Sequence, residues 1–298
     1  MMIIKPVSKI ALTLAVMVFA VCSASATTGM LEMLNLTGAR QAAMGETAAL
    51  SDYDAFNLEY NPATIVGMKM GRLGFSYNSF FQDRTTSTLA AIFPAKGLDL
   101  GMHMRLSGTG DIEGRRDYPT SEPDYLFSAH NYAVKFFAAA ALMPQMNVGL
   151  SAGWLMEKID IDRGSSLAFG LGAVYDFQNG LAAHASAANL GSKFKFIEEE
   201  NDLPTIYRVG TSFHKNEMMF SADYVNIKSG DGHLHFGGEY LLEKHLYLRG
   251  GYQTGYDSRD FSAGVGFVYD YLRIDYAFVP FKSDLGNSHR FTFNILLR

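Results

Sequence analysis

From residue 71 onward the side chains alternate with a period of two, and this pattern limits the chain to one kind of architecture. Phe291, Phe293, Ile295 and Leu297 alternate with Arg290, Thr292, Asn294 and Leu296. Leu272, Ile274, Tyr276 and Phe278 alternate with Arg273, Asp275 and Ala277, and Phe261, Ala263, Val265, Phe267 and Tyr269 with Ser262, Gly264, Gly266 and Val268. The same rule holds from Leu98 to Leu106 and from Leu167 to Tyr175. Successive side chains of a strand point to opposite faces. Each segment is therefore a strand with one apolar, aromatic-tipped face and one face of glycine, serine and scattered charge. About fourteen such segments can be counted. Their spans are 71–81, 86–94, 97–107, 126–142, 146–159, 165–177, 180–190, 205–214, 217–228, 232–242, 245–255, 260–269, 271–280 and 288–298.

Alternation alone fits a soluble sandwich as well as a membrane barrel. Three features favour the barrel. The strands run to about 9–12 residues, enough to cross a bilayer at a tilt, where soluble strands average shorter. Aromatic residues gather near strand ends, at Tyr77, Phe80, Phe81, Tyr175, Phe177, Tyr269 and Tyr271, as interfacial girdles do. Every second connection is short, as at Pro144-Gln145, Lys215-Asn216 and Asp270, while the others include the long segments 108–125, 191–204, 256–259 and 281–287. Short periplasmic turns and longer outer loops are the habit of outer-membrane barrels, and an even strand count puts every long loop on the outer side.

The N-terminus fits export to that compartment. Lys5 and Lys9 precede an apolar run from Ile10 to Val21 that ends in Ala24-Ser25-Ala26. This is the order of a secretory signal peptide cleaved after Ala26, and the run is too short for a spanning helix. A lipoprotein signal places a small residue before its cysteine, whereas Val21 precedes Cys22, so Cys22 is expected to leave with the signal. With no other cysteine in the chain, disulfides, thiolate metal sites and cysteine nucleophiles are excluded from the mature protein. The 25 Lys+Arg against 30 Asp+Glu of the whole chain become a net charge of about −7 without Lys5 and Lys9. That balance argues against nucleic acid as a partner.

Between signal and strands the period changes. Residues 38–50 are rich in alanine and other small residues and suit a short helix packed tightly against something. A second turn is expected from Asn57 to Gly67, where Pro62 sits favourably at a helix start. The inward glycines Gly101, Gly149, Gly153, Gly170, Gly172, Gly264 and Gly266 leave room for another backbone, read as this small-residue segment inside the barrel.

Gly38, Arg40, Gly45, then Asn61, Pro62 and Ala63, together with the closing residues Gly255-Tyr256, Asp275-Tyr276-Ala277-Phe278 and His289-Arg290-Phe291, resemble the PorV/PorQ family, within the wider group similar to the FadL long-chain fatty-acid transporters. The resemblance brackets nearly the whole mature chain. It implies an all-β, transmembrane antiparallel β-barrel of about fourteen strands with a small N-terminal helical plug. The expected division is signal peptide 1–26, plug 27–70 and barrel 71–298. The resemblance also implies a non-enzymatic component of type IX-like secretion or surface attachment. Its partners would be outer-membrane lipid and exported proteins or secretion machinery. The alternative is a FadL-like channel for hydrophobic small molecules such as fatty acids, and the setting in either case is the outer membrane of a Gram-negative-type bacterium. The outer loops look shorter than those of PorV, whose cargo contacts are loop-based.

Among the inward positions, Arg208, Asp223, His233, His235, Glu239, Arg249, Arg273, Asp275 and Arg290 are the polar lumen candidates. Both charge signs occur on neighbouring strands, which favours ion pairing within the barrel and bonds to the plug. The competing reading is a polar path or a headgroup site. His233, His235 and Glu239 share a face by their even spacing, but that spacing alone is weak for a metal. No metal or cofactor is expected. His103, His184 and His289 have no partner legible in the sequence, so no catalytic residue is assigned. The acidic run Glu198-Glu199-Glu200 reads as a solvated outer loop.

Overall fold

The computed structural model describes residues 29–49, 54–80, 83–116, 121–228 and 230–297. The signal peptide, Phe81 and Arg298 lie outside the described residues. The strands are β1 (Gly71–Ser79), β2 (Thr85–Phe93), β3 (Asp99–Gly114), β4 (Tyr125–Met143), β5 (Met146–Ile159), β6 (Asp162–Asp176), β7 (Leu181–Gly191), β8 (Phe194–Phe196), β9 (Glu199–Asn201), β10 (Ile206–Lys215), β11 (Met218–Ile227), β12 (Gly232–Leu242), β13 (Leu246–Gln253), β14 (Phe261–Tyr269), β15 (Leu272–Pro280) and β16 (Asn287–Leu297). All but β8 and β9 form a closed antiparallel barrel of fourteen strands, in which β1 pairs with β16. Closure leaves the barrel no unpaired edge.

The alternation decides which side faces where. On β16, Phe291, Phe293 and Ile295 point outward and stay exposed, while Arg290, Thr292 and Asn294 point inward and are fully buried. Leu100, Met104 and Leu106 on β3 and Leu167, Phe169 and Leu171 on β6 continue the outward apolar face. Of the aromatic residues expected at the rim, Tyr77, Phe177, Tyr269 and Tyr271 are exposed. Phe80 is not: it turns into the barrel mouth beneath the guanidinium of Arg290, 5.4 Å from its ring centre.

The connections corrected two expectations. Residues 108–125 are not one loop, because β3 and β4 run on as a ribbon past the neighbouring strands. Ile112 pairs there with Phe127 and Gly114 with Tyr125, and only 115–124 remain as connection. The register shifts between Thr109 and Ile112, where Asp111 takes a left-handed conformation. Segment 191–204 carries the β8–β9 hairpin, which buries Phe194 among Met30, Met33, Leu155 and Leu203. The acidic run lies partly on this hairpin, where Glu200 meets Lys193 at 3.6 Å.

Inside the barrel lie two short helices, α1 (Ala39–Ala43) and α2 (Asn57–Tyr60), flanked by 3-10 turns at Leu31–Leu34 and Pro62–Ile65. Several inward glycines are the seats of this segment. A Cβ on Gly149 would strike the backbone of Pro62 and Ala63, one on Gly172 the side chain of Asn61, and one on Gly264 the Cβ of Ala43. Gly153, Gly170 and Gly266 face other wall side chains instead, among them Lys135, Ser151 and Arg249. Sequence reasoning missed Gly237 and Gly251, which meet the chain at Met44 and Gly45. Asn61 fits its seat through both ends of its amide. Its oxygen accepts the Ala63 N–H at 2.9 Å, and its nitrogen donates to the carbonyls of Ala173 and Ala185, each at 3.1 Å.

Gly251 and its neighbour Gly250 separate inner from outer packing cleanly. A Cβ at Gly251 meets the backbone of Gly45, whereas a Cβ at Gly250 meets nothing within 4 Å. Gly251→Val is therefore expected to lower the unfolding free energy by about 1–3 kcal/mol through overpacking, and Gly250→Val to leave it nearly unchanged. Denaturant midpoints of the two variants in vesicles test this, and equal midpoints would show that the inner segment does not press on the wall.

Candidate functional site

The interior is organised around carboxylates. Glu239 on β12 receives a bidentate pair from Arg40 of α1, with both N–O distances at 3.0 Å. The same carboxylate takes Arg249 Nε at 2.6 Å and Arg273 NH2 at 3.5 Å. Asp275 completes the cluster, bound by Arg249 at 2.8 Å and by Arg273 at 2.9 Å. Arg40 also donates to the carbonyl of Ala49 at 3.0 Å, so its three contacts fix the helix and the chain after it to the wall. Bidentate geometry suits the planar guanidinium and makes this a strong type of pair.

The second carboxylate, Asp223 on β11, accepts Arg208 at 2.7 Å and the backbone N–H of Ala48 at 2.8 Å, and His184 lies 3.1 Å away. The third, Glu59 of α2, accepts the N–H and the hydroxyl of Thr37, each at 2.8 Å. Glu59 also meets Arg105 at 3.2 Å and lies 3.6 Å from His103. His103 and His184 thus have partners that their isolated positions in the sequence did not reveal. His289 is turned outward and holds the Tyr276 hydroxyl at 2.9 Å.

His233, His235 and Glu239 all face inward, yet the strand keeps them apart. Glu239 belongs to the arginine cluster. The two histidines stand at the mouth, where Tyr256 stacks on His233 with ring centres 3.8 Å apart and its hydroxyl lies 3.0 Å from His235 Nε2. Among the described residues no three His, Cys, Asp or Glu side chains gather as a metal site would need.

Above the arginine cluster, on the side of the longer connections, lies a cavity of about 280 Å³. Its apolar end is formed by Leu31, Leu34, Leu36, Phe80, Ile206, Val225, Ile227 and Phe281. Glu46, Arg208, His235, Tyr256, Ser258 and Arg259 form its polar end, and Asn35 and Arg84, the latter paired with Glu32, complete the lining. Tyr256 and Arg259 come from the connection 254–260, which folds inward, and Arg259 lies 5.2 Å from the Tyr256 ring centre. Burial pushes the Tyr256 hydroxyl up to about 12, so it remains a neutral donor. Burial also opposes charge on Glu46, but Arg259 and Arg290 outweigh it and hold the carboxyl below the usual carboxylate range.

Sequence reasoning found Arg208, Asp223 and Arg290 and missed Glu46, Glu59, Tyr256 and Arg259. One signal was available for the acids. A carboxylate inside a run of alanine, glycine and methionine that must be buried requires a cation from elsewhere.

No family model matches the chain, and no curated protein matches it. Solved structures do. The CymD monoaromatic hydrocarbon channel aligns over 88% of this chain and 97% of its own, with 13% identity and a TM-score of 0.64. The toluene transporter TodX of Pseudomonas putida aligns over 87% and 96%, with 12% identity and a TM-score of 0.62. A FadL homologue of Pseudomonas aeruginosa aligns over 92% and 99%, with 10% identity and a TM-score of 0.59. The shared feature is the fold: this chain has a FadL-like barrel. These likenesses support the wider half of the expected resemblance and give no support to its narrower PorV/PorQ half.

Removing the hub carboxylate should expose how much depends on it. Glu239→Ala leaves Arg40, Arg249 and Arg273 without their shared counter-ion. Breaking a buried pair from one side costs about 3–5 kcal/mol. The expected outcome is a large drop in the denaturant midpoint together with protease cleavage within residues 39–49. A midpoint unchanged from the parent would rule out the hub.

Proposed function

We propose that the protein is a non-enzymatic outer-membrane channel for small hydrophobic molecules. The observation that carries this reading is the half-apolar, half-polar cavity held between plug and wall in a barrel of the hydrocarbon-channel fold. An aqueous pore needs a continuous polar lumen. Here the described residues between Met30 and Met68 pack into the lumen, and the cavity offers eight apolar side chains to a guest. Concave, mostly apolar sites with a few placed polar groups are the usual form of small-molecule sites. The band of exposed Leu, Phe, Val and Tyr over most of the barrel strands supports a bilayer as the surroundings, with the short connections toward the periplasm. Residues 27–70 act in this reading as the plug, and Gly38, Arg40, Gly45, Asn61, Pro62 and Ala63 as its anchoring points. The secretion-associated alternative has no comparable observation in its favour.

Two measurements test the reading. In liposomes, the protein should speed entry of toluene over protein-free vesicles. Val225→Trp, which fills the cavity from the wall, should slow it while the barrel keeps its heat-modifiable gel migration. Entry no faster than in empty vesicles would sink the channel reading. For the membrane placement, Phe293→Arg at mid-strand should cost about 2–4 kcal/mol in a bilayer, and Leu234→Arg, nearer a strand end, should cost less. No cost at either position would remove lipid from that face.

A further inference from the structure

The polar end of the cavity brings three parts of the chain together. Arg259 of the connection 254–260 and Arg290 of β16 converge on one side chain, the Glu46 carboxylate, at 3.0 and 3.2 Å. Arg208 holds the Glu46 backbone carbonyl at 2.8 Å and pairs with Asp223. Three arginines therefore face two carboxylates, and one positive charge is left over at this end of the cavity.

The backbone at this point is unusual. Gly45 and Glu46 are both left-handed, with φ of 65° and 57°. Glycine adopts this conformation freely, but a non-glycine residue there is uncommon and persists where its surroundings hold it. The turn lifts the carboxylate into the cavity. It also wedges Gly45 against the strand backbone at Phe236 and Tyr252, where Gln253 donates to its carbonyl at 3.0 Å. Whatever holds the Glu46 side chain thus also holds the end of the plug against the wall.

We propose that Glu46 is a built-in competitor: the plug's own carboxylate occupies an anion subsite, and a guest with an anionic head and an apolar tail displaces it. The displaced side chain frees the turn at residues 45–49 from Arg259 and from one of its two ties to Arg290, the other being to the Leu36 carbonyl at 2.8 Å. A neutral apolar guest fills only the apolar end and leaves Glu46 in place. The asymmetry follows from charge. A guest anion substitutes for Glu46 in the same charge-assisted bonds, whereas a neutral guest that displaced it would leave two buried arginines uncompensated. A ligand shifts such an equilibrium only through its different affinity for the two states. This inference rests on the channel reading and adds to it the contact that keeps the plug shut.

Decanoate and decanol, equal in chain length, separate the two kinds of guest. With the purified full-length protein, decanoate should raise hydrogen exchange at residues 45–49, and decanol should bind without doing so. Glu46→Gln should bind decanoate several-fold more tightly, leave decanol unchanged and show fast exchange at 45–49 without any guest. Arg259→Gln, on a connection rather than a strand, should weaken decanoate several-fold and spare decanol. Equal effects of the two guests on exchange, or weaker decanoate binding in Glu46→Gln, would overturn the inference and leave the channel reading standing. Failure of the folded parent protein to bind either compound would overturn both.

Discussion

The carboxylate of Glu239 is the fixed point on which the interior depends. A barrel of fourteen strands is wider than its own side chains can fill, so its lumen must hold either water or a separate piece of chain. Here it holds a piece of chain only thirty to forty residues long with very short helices, which has little stability of its own. Such a segment stays in place because the wall supplies partners for it. Arg40 on Glu239, Ala48 on Asp223, Glu59 on Arg105 and Ala39 on Thr292 each tie a different strand to it. The apolar clusters around Phe56, Met33 and Leu36 then exclude water between these ties. Buried ion pairs add little stability by themselves, but they select one arrangement against others. That is the role a plug needs filled, since several orientations of a small alanine-rich segment would bury similar apolar area.

The barrel was legible in the sequence because its signal repeats. Each strand restates the same two-residue rule, and an error in one is corrected by its neighbours through the short turns. The nine polar lumen candidates were legible for the same reason: parity places a residue on a face. Parity gives no pairing, however. His235 and Glu239 lie on one face and serve different neighbours about 13 Å apart along the strand. Phe80, one residue past β1, keeps the parity of the buried Arg72, Ser76 and Asn78, and it was misread because its aromatic ring and its place at a strand end suggested the rim. The ribbon of β3 and β4 was misread because Gly110 and Asp111 look like a turn, whereas the structure uses them as a bulge between paired stretches. Glu46, Tyr256 and Arg259 carry no periodic signal at all, because their positions are set by left-handed turns and by a folded connection.

Glycine placement gives a second view of the same division between inside and outside. Gly237 pairs with Gly251 and Gly238 with Gly250 on adjacent strands. The first pair faces the plug and admits no side chain; the second faces outward and meets no obstruction beyond the edge of Phe220 at 3.7 Å. The wall is therefore only a backbone thick where the plug's tight turn at Gly45 and Glu46 meets it. A wall side chain on the inner pair would push this turn away and carry Glu46 out of reach of Arg259 and Arg290.

A charged lumen and an apolar guest are compatible for an electrostatic reason. Arg40, Arg249 and Arg273 are held by Glu239 and Asp275, and Arg208 by Asp223, each at ion-pair distance. Held in this way, the charges act largely as short dipoles whose field falls off faster than that of a free ion, and the three arginines on Glu239 and Asp275 leave that cluster, like the Glu46 end, one positive charge in excess. Apart from its polar end, Asn35 and Arg84, the cavity surface is Leu, Ile, Val and Phe, which favours a guest that sheds water on entering. In the channel reading, selection for apolar cargo comes from these apolar walls, and the excess positive charge beside Glu46 distinguishes one class of apolar cargo from another.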